Sequence, residues 1–182
     1  MSHLKPAVSD SDHRAGPDDA PVTLVEYGDY ECPHCGRAHP IIQEVRKRLS
    51  RRLRFVFRNF PLAEAHPHAF HAAEAAEAAA VQGKFWEMHD TLFEHQVALE
   101  DSDLVRYAKM LALDAGRLKE ELAAGTHANR VSQDFRSGVR SGVNGTPTFF
   151  INGTRHDGSW DRDALLEALE RVAKGGSRSQ SG

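Results

Sequence analysis

The sequence is poor in cysteine, has no long apolar run and carries little net charge. Only two of its 182 residues are cysteine, so the chain has one possible disulfide and no third redox-active thiol. No stretch approaches the roughly 18 consecutive apolar residues that a membrane span requires. The formal net charge is -3, which is too small to indicate a polyanionic partner or strong electrostatic steering.

What the sequence does contain fits one globular domain with a hydrophobic core. Hydrophobic residues make up 40% of the chain and charged residues 27%, a balance suited to a folded domain of this length. We expect that domain at residues 21–174, between a flexible N-terminal segment at 1–20 and a disordered tail at 175–182. Residues 1–20 lack the apolar segment of a secretory leader. This predicts a cytoplasmic location, or a periplasmic one if a leader has been removed.

The two cysteines stand three positions apart in the motif Cys32-Pro33-His34-Cys35. The apolar run at 22–27 predicts a buried strand before them, and apolar residues at three- and four-residue spacing predict a helix after them. A thiol pair at this spacing, where a helix follows a strand, is typical of a thioredoxin-like redox centre. Backbone N–H groups at a helix start favour an anion. The pKa of Cys32 is therefore expected to fall below ~8.5, into the ~3.5–7.5 range of such sites.

This motif resembles the active site of DsbA-like members of the thioredoxin superfamily, in which Cys-Pro-His-Cys occurs unchanged. The resemblance extends from about residue 22 to about residue 173 and includes the segment Gly145-Thr146-Pro147-Thr148-Phe149-Phe150. It implies that Pro147 is a cis-proline that packs against the disulfide, with Thr146 before it facing the active site. A cis bond before proline costs only ~0.5–1 kcal/mol, and the edge near Pro147 could bind an extended substrate.

Glu26 and His34 are candidates for proton transfer and thiolate stabilisation. Glu26 is placed as in DsbA-like proteins, where an acid beneath the disulfide helps to move the proton of the second cysteine. Burial would raise its pKa and make it a usable acid or base; the alternative is an exposed glutamate at a strand edge. His34 is expected to stabilise the Cys32 thiolate, and with it the reduced form. Its alternative is a solvent-facing histidine in the first helical turn.

The order of predicted elements indicates an α/β protein: a thioredoxin fold with an all-helical insertion between the second and third strands. The patterns predict strands at 22–27, 53–58, 148–151 and 154–157, the last two joined by the turn signal Asn152-Gly153. The insertion is expected at about 64–142, and its stripe of Phe85, Trp86 and Met88 is assigned to packing. DsbA-like proteins carry such an insertion, whereas a bare thioredoxin has no room for it.

These features predict a protein disulfide oxidoreductase that works through a mixed disulfide on Cys32. The expected partners are protein or peptide thiols and disulfides and a redox partner of unknown identity, and neither a cofactor, a metal nor nucleic acid is expected. The residues do not determine the net direction of exchange, that is, whether the protein oxidises or reduces its substrates. Pro33 and His34 between the thiols indicate an oxidant, whereas a cytoplasmic location favours a disulfide reductase or an oxidative-stress protein.

Three other functions are compatible with parts of the sequence. A structural zinc site could combine Cys32 and Cys35 with histidines such as His34, His39 or the cluster of His66, His68 and His71, although no second cysteine pair exists to complete four ligands. A redox-inert binding or chaperone module would hold unfolded chains near Pro147, and would keep its activity when Cys32 is replaced by Ser. A glutathione-dependent transferase or isomerase is disfavoured, because such relatives generally lack paired thiols.

Overall fold

A computed structural model describes residues 1–176 of the chain. Its strands are β1 (His13–Ala15), β2 (Val22–Gly28), β3 (Leu53–Asn59), β4 (Thr148–Ile151) and β5 (Thr154–His156). Its α-helices are α1 (Pro33–Leu49), α2 (Ala69–Val81), α3 (Phe85–Glu94), α4 (Asp101–Met110), α5 (Ala115–Ala124), α6 (Ala128–Arg140) and α7 (Arg162–Gly176). The predicted order of elements is confirmed from β2 onward, since five consecutive helices lie in the chain between β3 and β4, whereas β1 was not predicted.

The described residues form two compact units. The first contains residues 1–27, 37–58 and 137–176, which hold nearly the whole sheet, most of α1 and all of α7. The second contains residues 28–36 and 59–136, which hold the two cysteines and nearly all of the helical insertion.

The first unit is built on a five-stranded sheet with the order β1-β3-β2-β4-β5. All seven residues of β2 are buried, as a short strand of apolar and β-branched residues predicts. β2 and β4 are antiparallel, with Glu26 opposite Phe149 and Tyr27 opposite Thr148. β4 returns as β5 through Asn152-Gly153, where both residues have positive φ. The predicted hairpin is thereby confirmed.

The N-terminal segment differs from the flexible stretch that was expected at residues 1–20. β1 pairs with β3, and the Asp12 carboxylate accepts hydrogen bonds from the Arg58 guanidinium at 2.8 and 3.0 Å. The side chains of both residues are almost fully buried, at 3% and 5% exposure. A buried guanidinium requires an opposite charge nearby, so Arg58 gives this segment a specific place beside the sheet.

Helices α1 and α7 supply apolar side chains to the core of the first unit. The buried ones are Ala38, Ile42, Val45 and Leu49 in α1 and Leu165, Leu169 and Ala173 in α7. Their three- and four-residue spacing is that of an amphipathic helix, and it is the pattern that predicted α1. α7 ends at Gly176, two residues into the predicted tail, and the rest of that tail, residues 177–182, lies outside the described residues.

The second unit packs its helices on small and aromatic side chains. α2 has nine buried residues, seven of which are alanine. The Phe60 and Phe135 rings stack with centroids 4.3 Å apart, and Phe85 and Met88 are buried, as their assignment to packing predicts. Among the described helices, none combines the length and the apolar character needed to cross a membrane.

Candidate active site

The two cysteines lie at the start of α1, in the second unit. α1 begins at Pro33, so Cys32 is the residue immediately before the helix. Its backbone N–H donates to the Asp29 carbonyl at 3.2 Å, and its carbonyl accepts from the Gly36 N–H at 3.0 Å. Both cysteines are buried, with 4% exposure at Cys32 and none at Cys35. The sequence-based placement of the pair at a helix start is confirmed.

This position gives Cys32 the surroundings that stabilise a thiolate. The first backbone N–H groups of a helix have no partner within the helix, and the aligned peptide dipoles leave partial positive charge there. Cys35 lies one turn further into α1, where it is close enough in sequence to form a disulfide with Cys32. Pro33 and His34, between them, are both exposed to solvent.

The Asp29 carboxylate holds the segment that leads to Cys32. One oxygen accepts from the Glu31 N–H at 2.8 Å. The other lies 2.9 Å from the Leu62 nitrogen and 2.8 Å from Nδ1 of His66. Asp29 is 1% exposed, so these bonds satisfy a carboxylate that would otherwise be costly to bury.

Glu31 is held in a similar way by His68, at the residue before α2. One Glu31 oxygen accepts from the His68 backbone N–H at 2.7 Å, and the other lies 2.9 Å from its Nδ1. The hydrogen bond to Glu31 raises the pKa of His68 above its ordinary value. Burial by itself would lower the pKa of His66, but the bond to Asp29 and the charges of Asp29, Cys32 and Glu31 outweigh it, and the net shift is upward.

Two further side chains of the insertion bind the same segment through its neutral groups. The Tyr30 hydroxyl lies 2.9 Å from Nδ1 of His89. Nε2 of Gln96, in the loop between α3 and α4, donates to the Tyr30 carbonyl at 3.0 Å and to the Cys32 carbonyl at 2.8 Å. Every residue from Asp29 to Cys32 is therefore bonded to a residue of the insertion.

The other predicted site residues lie in the first unit. Glu26 is 2% exposed within β2, so it is not the exposed strand-edge glutamate of the alternative. The peptide bond between Thr146 and Pro147 is cis, and both residues are half-buried. The loop ahead of β4 is closed by a hydrogen bond from the Thr148 hydroxyl to the Gly145 carbonyl at 2.7 Å.

Sequence reasoning missed the polar residues that hold the segment before Cys32. Asp29, Glu31, Gln96 and the role of the histidines were not singled out, although the sequence carries a signal for some of them. Two acids directly before the motif and a histidine cluster after β3 have complementary charge. The histidines of that cluster had been considered as zinc ligands. In the structure the Nδ1 atoms of His66, His68 and His71 each lie 2.7 to 2.9 Å from a carboxylate oxygen.

A family model described as Thioredoxin matches residues 9–171. The chain is also 51% identical over 166 residues to a protein of Salinispora tropica named Na(+)/H(+) antiporter NhaA 3; this match covers 91% of the chain and 25% of that protein. The chain thus spans about a quarter of the length of the curated relatives it matches.

Three solved structures resemble the chain over nearly its whole length. Oxidised BdbD from Bacillus subtilis is 28% identical, with a TM-score of 0.85, covering 96% of this chain and 98% of that one. A thioredoxin-like oxidoreductase from Silicibacter pomeroyi is also 28% identical, with a TM-score of 0.80 and coverages of 91% and 94%. Alpha-DsbA1 of Wolbachia pipientis, at 17% identity and a TM-score of 0.83 over 97% of this chain and 98% of that one, shares the fold.

Proposed function

The chain belongs to the thioredoxin family, and we propose that it is a DsbA-like oxidoreductase that exchanges a Cys32–Cys35 disulfide with protein thiols. The observation that carries the proposal is the placement of Cys32 directly before α1 with Cys35 in its first turn. The likeness to an oxidised BdbD and to a thioredoxin-like oxidoreductase supports the reaction class.

In the oxidising direction, a substrate thiolate attacks the Cys32 sulfur. The bond between the two cysteine sulfurs breaks, and Cys35 leaves as a thiolate that takes up a proton. A second substrate thiolate then attacks the substrate sulfur of the mixed disulfide and releases the Cys32 thiolate. The substrate is oxidised by two electrons to a disulfide, and the protein is reduced to a dithiol. The reducing direction is the reverse.

We extend the proposal to the remaining predicted site residues in the roles that the resemblance implies. His34, exposed beside Cys32, stabilises the thiolate by charge or hydrogen bonding, and Pro33 starts the helix in a conformation that proline favours. Glu26 moves the proton of Cys35, a role that suits a buried carboxyl group. Thr146 and Pro147 bind an extended substrate backbone.

The proposal is tested by trapping the mixed disulfide. Cys35→Ser leaves Cys32 without its resolving thiol, so a covalent complex with a disulfide-containing substrate protein should accumulate and disappear on addition of dithiothreitol. Cys32→Ser is the matched control and should form no complex. If Cys32→Ser protects unfolding chains as well as the unchanged protein does, and no exchange is detected in either, the redox-inert binding module is the better account.

The direction of exchange follows from the reduction potential of the pair. Equilibration in graded glutathione buffers with trapping of the remaining thiols measures it. A value near ~-120 to -180 mV identifies an oxidase or isomerase, whereas one near ~-270 mV identifies a reductase. The cytoplasmic location expected from the sequence favours the second result, and it stays a prediction.

The antiporter-named relatives favour a narrower candidate for the thiol partner. A 51% identity over 91% of this chain to a protein named Na(+)/H(+) antiporter suggests a redox module that works beside such an antiporter. The Cys35→Ser variant, with Cys32 first converted to its mixed disulfide with glutathione, tests this when it is mixed with membranes that contain an antiporter of the same cell, because a partner thiol can then displace the glutathione. A dithiothreitol-sensitive complex with the antiporter supports the candidate, and complexes with other proteins alone count against it.

A further inference from the structure

The Gln96 carboxamide makes an unusual pair of bonds for a loop side chain. Its single nitrogen donates to two main-chain carbonyls, those of Tyr30 and Cys32, at 3.0 and 2.8 Å. These two carbonyls flank Glu31, so one side chain holds both ends of a short stretch of backbone. Gln96 lies 64 residues from Cys32 in sequence, and the contact depends on the fold of the second unit alone.

The oxygen of the same carboxamide occupies the space where Gly36 lacks a side chain. A Cβ atom built on Gly36 would lie 2.0 Å from Oε1 of Gln96 and 2.6 Å from its Cδ. Any other residue at position 36 would therefore displace Gln96. Gly36 is within α1, where glycine costs about 1 kcal/mol relative to alanine, and this helix has no positive φ at that position to explain the glycine.

We propose that Gln96 is a positioning residue for the Cys32 thiolate, and that residue 36 is glycine because the Gln96 carboxamide occupies its side-chain space. The inference deepens the proposed function and rests on Cys32 being the attacking or attacked sulfur of that reaction.

The physical link runs through the Cys32 carbonyl. This carbonyl already accepts the Gly36 N–H at 3.0 Å, the bond that opens α1. A second donor from Gln96 restricts rotation of the same peptide group, and the bond to Tyr30 restricts the chain two residues earlier. The Cys32 side chain is thereby held against the helix N–H groups that stabilise its thiolate. Without Gln96 the helix remains, but the sulfur is less well placed.

The experiment follows the pH dependence of Cys32 alkylation by iodoacetamide, in a Cys35→Ser background so that a single thiol reacts. Gln96→Ala should raise the thiol pKa and slow alkylation below that pKa by about threefold to tenfold, the size expected for one or two hydrogen bonds. Gln96→Glu keeps nearly the same shape but removes both donors. Alkylation of Cys32 should be slower in Gln96→Glu than in Gln96→Ala, because a carboxylate repels the two carbonyl oxygens and the thiolate.

A matched control is available in the same unit. Gln82 likewise binds the main chain through its carboxamide, although it uses both ends: Nε2 lies 3.3 Å from the Asp114 carbonyl oxygen and Oε1 lies 2.8 Å from the Asp114 nitrogen. Gln82→Ala should lower the free energy of unfolding about as much as Gln96→Ala does. It should leave the pH dependence of Cys32 alkylation unchanged. If Gln82→Ala shifts the profile as far as Gln96→Ala does, the effect is one of general stability and the proposal is wrong.

A double-mutant cycle tests the link to Gly36. Gly36→Ala alone should reproduce the slower alkylation, because the new methyl group displaces Gln96. In the Gln96→Ala background the same change should have no further effect on alkylation, since the space is then empty. Equal effects of Gly36→Ala in both backgrounds would overturn the inference. Alkylation does not require exchange activity, so failure of the proposed function would appear separately, as the lack of a reversible disulfide in glutathione buffers.

Discussion

At the scale of single residues, the two carboxylates just before Cys32 each pair with a histidine. Asp29 and Glu31 place two carboxylates within three positions before Cys32, and negative charge so near opposes a thiolate. His66 and His68 bind these carboxylates at 2.8 and 2.9 Å. The pKa of each histidine is raised. Each imidazole therefore stays protonated, and offsets the charge of its carboxylate, up to pH values above the ordinary histidine pKa.

His66→Asn should change how stability depends on pH. The raised pKa means that the folded protein holds a proton on His66 more tightly than the unfolded chain does. The resulting stabilisation is fully present below the unfolded pKa of ~6.5 and is lost as pH rises through the higher folded value. Urea denaturation at several pH values should show the unchanged protein losing stability over that window, and the variant, which keeps an N–H donor for Asp29, losing less.

The matched control for that experiment is His156→Asn. Nε2 of His156 lies 2.9 Å from the Ser159 carbonyl oxygen, so its partner is neutral rather than a buried carboxylate. The pH dependence of unfolding should keep its slope in this variant. The same slope in His66→Asn as in the unchanged protein would show that the pair with Asp29 contributes no pH-dependent stability.

At the scale of elements, residues close together in sequence determine where a helix begins and ends, as α5 shows. α5 lies within the predicted helical insertion and runs over residues 115–124, with the Asp114 carboxylate accepting the Arg117 N–H at 2.9 Å. α5 ends at Ala124, and the next residue, Gly125, has a positive φ of 63°, the conformation in which glycine is most often found after a helix. The residues directly before and after this helix therefore determine where it begins and ends.

Asp114→Ala should lower the free energy of unfolding by about 0.5–2 kcal/mol, the usual cost of removing a helix N-cap. Asp114→Ser keeps an oxygen that can accept the same N–H and should restore most of the loss. Urea denaturation of the three proteins measures both effects. Since Asp114 is in the insertion away from residues 29–36 of the chain, the alkylation rate of Cys32 should stay constant, and a parallel fall in that rate would contradict this separation.

At the scale of the whole molecule, the N-terminal segment depends on contacts distant in sequence. Arg58 of β3 donates to Asp12 and also to the Pro6 carbonyl at 3.1 Å and the Tyr27 hydroxyl at 2.9 Å. The composition of residues 1–20 is that of a flexible stretch, and nothing local predicts order. The order comes from Arg58, a buried cation whose partner lies 46 residues earlier.

Asp12→Ala should reduce the free energy of unfolding by about 3–5 kcal/mol, because it leaves the Arg58 guanidinium buried without its counter-ion. Asp10→Ala is the matched control in the same segment: Asp10 lies 3.2 Å from Arg14 but is fully exposed, so its loss should have no measurable effect. Thermal and urea unfolding report both. Equal stabilities for the two variants would mean that the ion pair with Arg58 does not hold the segment.

The sequence by itself determined the parts of this protein that depend on near neighbours. The spacing of Cys32 and Cys35, the start of α1 beside them, the hairpin at Asn152-Gly153 and the inserted helices all follow from residues a few positions apart. Hydrophobic periodicity and turn chemistry act over that range, so these features could be predicted without coordinates.

Only the tertiary structure decided which side chains surround the cysteine segment. His66 meets Asp29 across 37 residues and Gln96 meets Cys32 across 64, and Asp12 meets Arg58 in the same way. Each side chain considered alone is an ordinary polar residue with many possible partners. Burial removes the water that would otherwise satisfy these groups, and packing of the helices and strands selects the partner that replaces it.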